Sequence, residues 1–219
     1  MRDIDYCMGR CGLLFAVDCC RHVWHLLPDG PGRVAVLVAE RHADGLAEKN
    51  ELEEAEQEAF EAVERFMEER PDMRFMAVPA YHAMRAASCL TGPTSGRRPI
   101  SGAAHWTQKA LAWHLAPLPE EREKREAIQR SEEFRQVAVV RDIFGNPFRP
   151  VAITPTWLTP TVQSLAESIY TERTFDRLPI LADALEEAGC ANTDILNHCR
   201  QPGVHTKGCW VVDLLLGKE

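Results

Sequence analysis

A chain of 219 residues, 45% hydrophobic and 26% charged, can bury a substantial core and has too much apolar content for an intrinsically disordered segment. Its formal net charge of −8 argues against a broad electropositive face that tracks phosphate, so no nucleic-acid partner is expected. The longest apolar runs, GLLFAV and WVVDLLLG, fall far short of the roughly 20 residues that span a bilayer, and the start MRDIDYCMGRCGLLFAV is broken by Asp, Gly and Arg where a leader carries an apolar run; the expectation is a cytoplasmic protein with no membrane attachment.

Helix follows helix along the chain. Leu13, Leu14, Val17, Cys20, Val23, Trp24 and Leu27 recur at three- and four-residue spacing and predict a first helix that stops at PDGPG. RVAVLVAERHADGLA predicts a second, ending near Gly45, although VAVLV by itself also fits a short strand. In the third, Asn50 and Glu53 have the spacing of a capping box, and Leu52, Ala55, Ala59, Ala62, Val63, Phe66 and Met67 share one face opposite a run of glutamates. That acidic face is expected to be solvated, or to meet a basic partner.

A weaker helical segment covers 70–87, and the Gly-, Pro- and Ser-rich LTGPTSGRRPISG predicts a loop, mobile at about 91–102. AAHWTQKALAWHLAPLP and the charged EEREKREAIQRSEEFRQVAVVRDIF complete an N-terminal portion, the latter as a helix of five or more turns. The tryptophans, Trp24, Trp106, Trp113, Trp157 and Trp210, are expected as core or interhelix anchors.

Pro147, Pro150 and a Gly-Asn pair within a few residues of FGNPFRPVAITP break the helical pattern and set a module boundary. Beyond it Thr159 can cap a helix with Pro160 at its first position and Val162, Leu165, Ala166, Ile169 and Tyr170 facing inward. FDRLPILADALEEAG places Leu178, Leu181 and Leu185 on one face with Gly189 as the stop, and Asn192 or Thr193 can cap the short helix TDILNHCR. The last element, GCWVVDLLLGKE, fits a helix, although WVV also suits a strand. The expected fold is mainly α: a bundle-like helical portion over residues 1–144 and a compact helical module over 145–219.

RDIFGNPFRPV, RLPILADALEEAGC and GCWVVDLLLGK together resemble a C-terminal module of an uncharacterised family of planctomycete bacterial proteins, and LLFAVDCCRHVWHLL with AERHADGLA resembles the N-terminal helical part of the same family. The resemblance covers the two ends of the chain and implies a helical fold; it implies no activity.

Chemistry concentrates in LEEAGCANTDILNHCRQPGVHTKGCW. Eight cysteines are numerous for a reducing compartment, where they serve as small core residues, metal ligands or reactive thiols. Cys190, His198, His205 and Cys209 follow the spacing C-x7-H-x6-H-x3-C, and a helix-turn-helix can fold these four into a tetrahedral zinc site. The spacing leaves open whether His198 or its neighbour Cys199 supplies the ligand, and whether the cysteines simply fill core space while the histidines bond carbonyls. Cys209 with His205 is also a possible thiol-imidazole pair. A second, sparser candidate is Cys19, Cys20, His22 and His25 on the first helix. No phosphate-cradling loop, dinucleotide fingerprint, H-E-x-x-H or G-x-S-x-G motif occurs. The expected function is a non-catalytic binding or regulatory module for a protein partner, pinned by zinc. Its rivals are a metal- or thiol-dependent enzyme built on the same residues and a metal-free scaffold subunit with an exposed apolar patch.

Overall fold

The structure, a computed structural model, describes residues 9–70, 78–90 and 99–218. It contains ten α-helices and no strand among the described residues, so the chain is mainly α as its periodicity implies. It forms two compact units, Met1–Gln136 and Val137–Glu219.

The first unit comprises α1 (Gly9–His22), α2 (Pro31–Ala43), α3 (Lys49–Glu68), α4 (Pro79–Ala87), α5 (Pro99–Leu115) and the greater part of α6 (Arg122–Phe144). VAVLV is helical within α2: its Val36 and Val38 are buried but so are Ala35, Ala39 and Ala43, a stripe with the period of a helix. The capping box at Asn50 does not form. The helix starts at Lys49 with Glu48 in the capping position and no side-chain cap. Arg41 of α2 bonds both the Leu46 carbonyl, at 2.9 Å, and the Glu51 carboxylate, at 2.6 Å, and so ties the short connection into place before Asn50. Leu52, Ala55, Ala59 and Val63 bury the expected face, with Glu56 among them. The weak segment at 70–87 is helical from Pro79, and α5 begins at Pro99, inside the stretch expected as a loop; 71–77 and 91–98, including most of that loop, lie outside the described residues.

The five tryptophans are each half-buried. Cations lie over three of them: Arg21 and Arg33 at Trp24, Arg85 at Trp106, and Arg125 at Trp113. They act at the rim of the core, where a ring can pack on one side and meet a guanidinium on the other.

The second unit holds the end of α6, then α7 (Pro160–Glu172), α8 (Leu178–Glu187), α9 (Thr193–Arg200) and α10 (Trp210–Leu216). Local chemistry sets its helix ends. Thr159 Oγ1 accepts the Val162 N–H, and Asn192 Oδ1 accepts from both Asp194 and Ile195, so each satisfies amide groups that the first helical turn leaves free. Gly189, at φ 85°, ends α8 with bonds from its own N–H to Glu186 O and from Cys190 N–H to Leu185 O, the left-handed stop that glycine favours. Val162, Ile169, Leu178, Leu181, Leu185, Ile195 and Val211 form a continuous core with Cys190, Cys199 and Cys209. The division between the units falls inside α6 rather than at the proline-rich break after Phe144. The last turns of α6 belong with the second unit and carry Asp142 there. No helix among the described residues is long and apolar enough to cross a membrane.

Candidate metal centre

Three elements of the second unit converge on one point. His198 stands near the end of α9, a helix that buries Ile195, Leu196, His198 and Cys199 together. After the helix the chain turns through Pro202 and Gly203 to His205, and Cys209 precedes the first residue of α10. Asp142, on the last turn of α6, completes the group: one ligand atom from each of Asp142, His198, His205 and Cys209 lies within 4.8 Å of the other three.

The individual contacts define which atoms face inward. His198 Nε2 is 3.2 Å from Cys209 Sγ and 3.1 Å from Asp142 Oδ1. His205 Nδ1 is 2.6 Å from the same Oδ1. Tetrahedral zinc, with bonds of about 2.0–2.1 Å to nitrogen or oxygen and about 2.3 Å to sulfur, separates its ligand atoms by roughly 3.4 Å for N···O and roughly 3.6 Å for N···S. An ion among these four groups therefore needs a spread of a few tenths of an ångström at His198 and a larger one between His205 and Asp142.

Other contacts hold the outward atoms. Asp142 Oδ2 accepts the Thr206 N–H at 2.9 Å, His205 Nε2 lies 3.5 Å from the Gln201 carbonyl, and the Gln201 side-chain amide lies 3.5 Å from His198 Nδ1. His205 thus has Nδ1 aimed at the centre and Nε2 toward the Gln201 carbonyl, an acceptor of the kind that orients metal-binding histidines; beside His198 Nδ1 stands the Gln201 amide nitrogen, a donor, which suits the ring only when Nδ1 carries no proton. The His198 ring packs against His205 and Trp210, with centroids 5.0 and 5.1 Å away.

Electrostatics in the group are set by burial and by the carboxylate. Burial disfavours the Asp142 charge, but hydrogen bonds from His198 and His205, the His205 charge and the Thr206 amide outweigh it and hold the carboxyl below its usual range. For His205 burial again opposes the charge, and Asp142 outweighs it to raise the imidazole. The Cys209 thiol is pushed well above its usual value, first by complete burial and then by the Asp142 charge. Burial of this kind disfavours the thiolate, and a bound cation would favour it. The geometry also differs from a catalytic relay, in which one imidazole nitrogen takes the nucleophile and the other the carboxylate. Here one nitrogen of His198 faces both.

Of the four residues expected from spacing, the structure brings His198, His205 and Cys209 together and puts Asp142 where Cys190 was expected. Cys190 does not join them: the stop at Gly189 turns it into the hydrophobic core, where it is 3% exposed. His198, and not Cys199, faces the centre. Cys199 is a core thiol raised to about 12, by burial first, then by the charge of Asp142 and by Cys190. Asp142 stands 63 residues from His205, so no local spacing connects them. Its one signal is an acid between the apolar Val139 and Ile143 on the buried face of α6. The sparser candidate does not assemble: among the described residues no group of three or more ligand side chains forms there, His25 lies beyond the end of α1 in the short turn Trp24–Leu26, and Cys19 and Cys20 are buried thiols pushed up chiefly by desolvation.

Trp210 roofs the centre and explains Gly145. That residue follows α6 at φ 57°, and a Cβ on it would stand 3.0 Å from Trp210 Cγ. Gly145→Ala is expected to destabilise the unit by about 1–3 kcal/mol, combining the left-handed backbone cost with displacement of the indole. Urea unfolding followed by tryptophan fluorescence measures it; an unchanged midpoint would show that the indole does not need this close approach.

A cleft of about 570 Å³ lies beside the centre, with Arg173, Phe175, Leu178, Cys199 and Arg200 in its walls. Of the four converging residues His205 borders it, and Asp142, His198 and Cys209 do not. No protein-family model, curated protein or solved structure matches this chain.

Proposed function

We propose that the Val137–Glu219 unit is a zinc-pinned helical module that presents a rigid surface to a protein partner and performs no catalysis. The observation that carries this reading is the convergence of Asp142 Oδ1, His198 Nε2, His205 Nδ1 and Cys209 Sγ within a largely buried space. Imidazole and thiolate ligands together favour zinc over the harder cations, and a carboxylate completes a tetrahedral set. Four protein ligands leave no coordination position for water or substrate, which is the pattern of a structural site. The burial and raised value of Cys209 argue in the same direction, against the thiol-enzyme alternative.

Metal content tests it. Native mass spectrometry of protein purified without added zinc or chelator is expected to find one zinc in the wild type and in Cys190→Ser, and none in Cys209→Ser, with far-UV circular dichroism reporting the fold of each. Metal-free wild type that also takes up no added zinc would refute the reading. Equal zinc in Cys209→Ser, or its loss in Cys190→Ser, would refute this ligand set.

A further inference from the structure

Helix α6 exposes part of its apolar surface and buries part of its polar surface. It buries Glu132, Gln136 and Asp142 with Val139 and Ile143, and exposes Phe134, Val137, Val140 and Phe144 at 77, 48, 39 and 37% of their surface. At 100° per residue these four apolar side chains lie on one face, with Val137 in the middle, and the exposed Arg130, Glu133 and Arg141 lie among them. Contiguous apolar stripes of this kind are uncommon on the surface of monomers. Neither Glu133 nor Arg141 has an ion-pair partner among the described residues.

The order of charges says what fits the stripe. In an antiparallel helix pair with a two-fold axis beside Val137, each residue lies level with the one equally far on the other side of Val137 in the second copy. Glu133 of one copy is then level with Arg141 of the other, Phe134 with Val140, and Arg130 with Phe144. Both ends repeat the match because the axis is two-fold. A parallel pair in the same register instead sets Glu133 beside Glu133 and Arg141 beside Arg141, which like-charge repulsion disfavours. The sequence of this face is therefore complementary to itself in one orientation only.

We infer that the exposed face of α6 is a homodimer interface, in which a second copy of this chain packs antiparallel across Val137 with Glu133 paired to Arg141. The apolar side chains supply the burial, and the two ion pairs set direction and register. This surface is distinct from the converging Asp142 group, so the inference stands whether or not zinc binds there.

Sedimentation velocity on the purified full chain, over concentrations from about 1 to about 100 µM, gives the dimer dissociation constant. The wild type is expected to dimerise in this range. Val137→Glu, which places two carboxylates at the axis, should raise the constant at least about tenfold, and Glu133→Arg should raise it similarly. The double exchange Glu133→Arg with Arg141→Glu restores the charge pairing and should bring the constant back to within about threefold of the wild type. All the changed side chains are exposed, and circular dichroism checks that each variant keeps its helix content. A wild type that is monomeric at about 100 µM, or a dimer indifferent to Val137→Glu, overturns the interface. Failure of the double exchange to recover what Glu133→Arg loses overturns the antiparallel pairing.

Discussion

Asp142→Ala is expected to cost the Val137–Glu219 unit about 3–5 kcal/mol even when no zinc is present. The carboxylate lies within 3.1 Å of His198 and 2.6 Å of His205 and accepts the Thr206 amide at 2.9 Å. The side chains of Asp142 and His198 are nearly closed to solvent and His205 is reached only from the cleft it borders, so water replaces the lost acceptor poorly. Removing the carboxylate takes the partner from the Thr206 amide and from His205 Nδ1, while His198 Nε2 keeps Cys209 Sγ at 3.2 Å, and buried donors left unsatisfied are what make the loss large. Asp142→Asn keeps an acceptor for Thr206 and loses the charge, so its cost should fall between wild type and alanine. Hydrogen exchange of the amides in α7 to α10 reports the local opening energy. Zinc adds a second, separable effect: at a free concentration near a thousand times its dissociation constant it should stabilise wild type by about 4 kcal/mol and leave Asp142→Ala unmoved. Equal protection in wild type and Asp142→Ala, with and without zinc, would show that the convergence contributes nothing.

Arg135→Ala should produce a loss of similar size in the other unit. Arg135 donates through Nη1 to Asp18 at 2.9 Å and through Nε to both Glu132 oxygens at 3.0 Å. The arginine and Asp18 side chains are 15 and 13% exposed and that of Glu132 is 4% exposed. Without the guanidinium two largely buried carboxylates lose the cation they share, with only the Gln136 amide at 3.1 Å and the His22 imidazole at 3.6 Å left to Glu132, at an expected cost of about 3–5 kcal/mol. Lysine is a poor substitute, because one ammonium on a flexible stem does not reproduce two donors held in a plane. Neutralising the whole group, as Arg135→Met with Asp18→Asn and Glu132→Gln, should cost less than Arg135→Ala alone, because no unpaired buried charge is left. Urea midpoints of the first unit decide between these outcomes. A loss under about 1 kcal/mol for Arg135→Ala would mean that water reaches the carboxylates and screens them.

What was legible in the sequence and what was not divides along the range of the interactions. Thr159 before Pro160, Asn192 before Asp194 and Gly189 after Glu187 act on amides and carbonyls a few residues away, and each performs the role its local pattern implies. Asn50 and Glu53 carry an equally good local pattern, yet α3 starts before it, because Arg41 from the neighbouring helix holds the connection. A capping motif competes for about 1 kcal/mol, and a few bonds from another element are enough to override it.

The same division runs through the candidate centre. Residues 185–210 announce themselves by density of ligand-type side chains, and His198, His205 and Cys209 do converge. Spacing does not separate Cys190 from Asp142 as the fourth group, since one is close in sequence but turned into the core while the other is remote and brought in by α6. Nor did the charged sequence of α6 disclose that Phe134, Val137, Val140 and Phe144 lie outside while Glu132 and Asp142 lie inside. Periodicity identifies two faces of a helix, but which one is buried depends on the partners that satisfy it. By itself, then, the sequence determined a mainly helical chain, the caps of its last helices and the stretch where ligands gather, because propensity, capping and hydrophobic period act within a turn or two. Only the tertiary structure decided that Asp142 closes the centre, that Cys190 is core and that α6 shows a stripe of four apolar side chains to solvent, because burial and charge pairing are set by residues far apart in the chain.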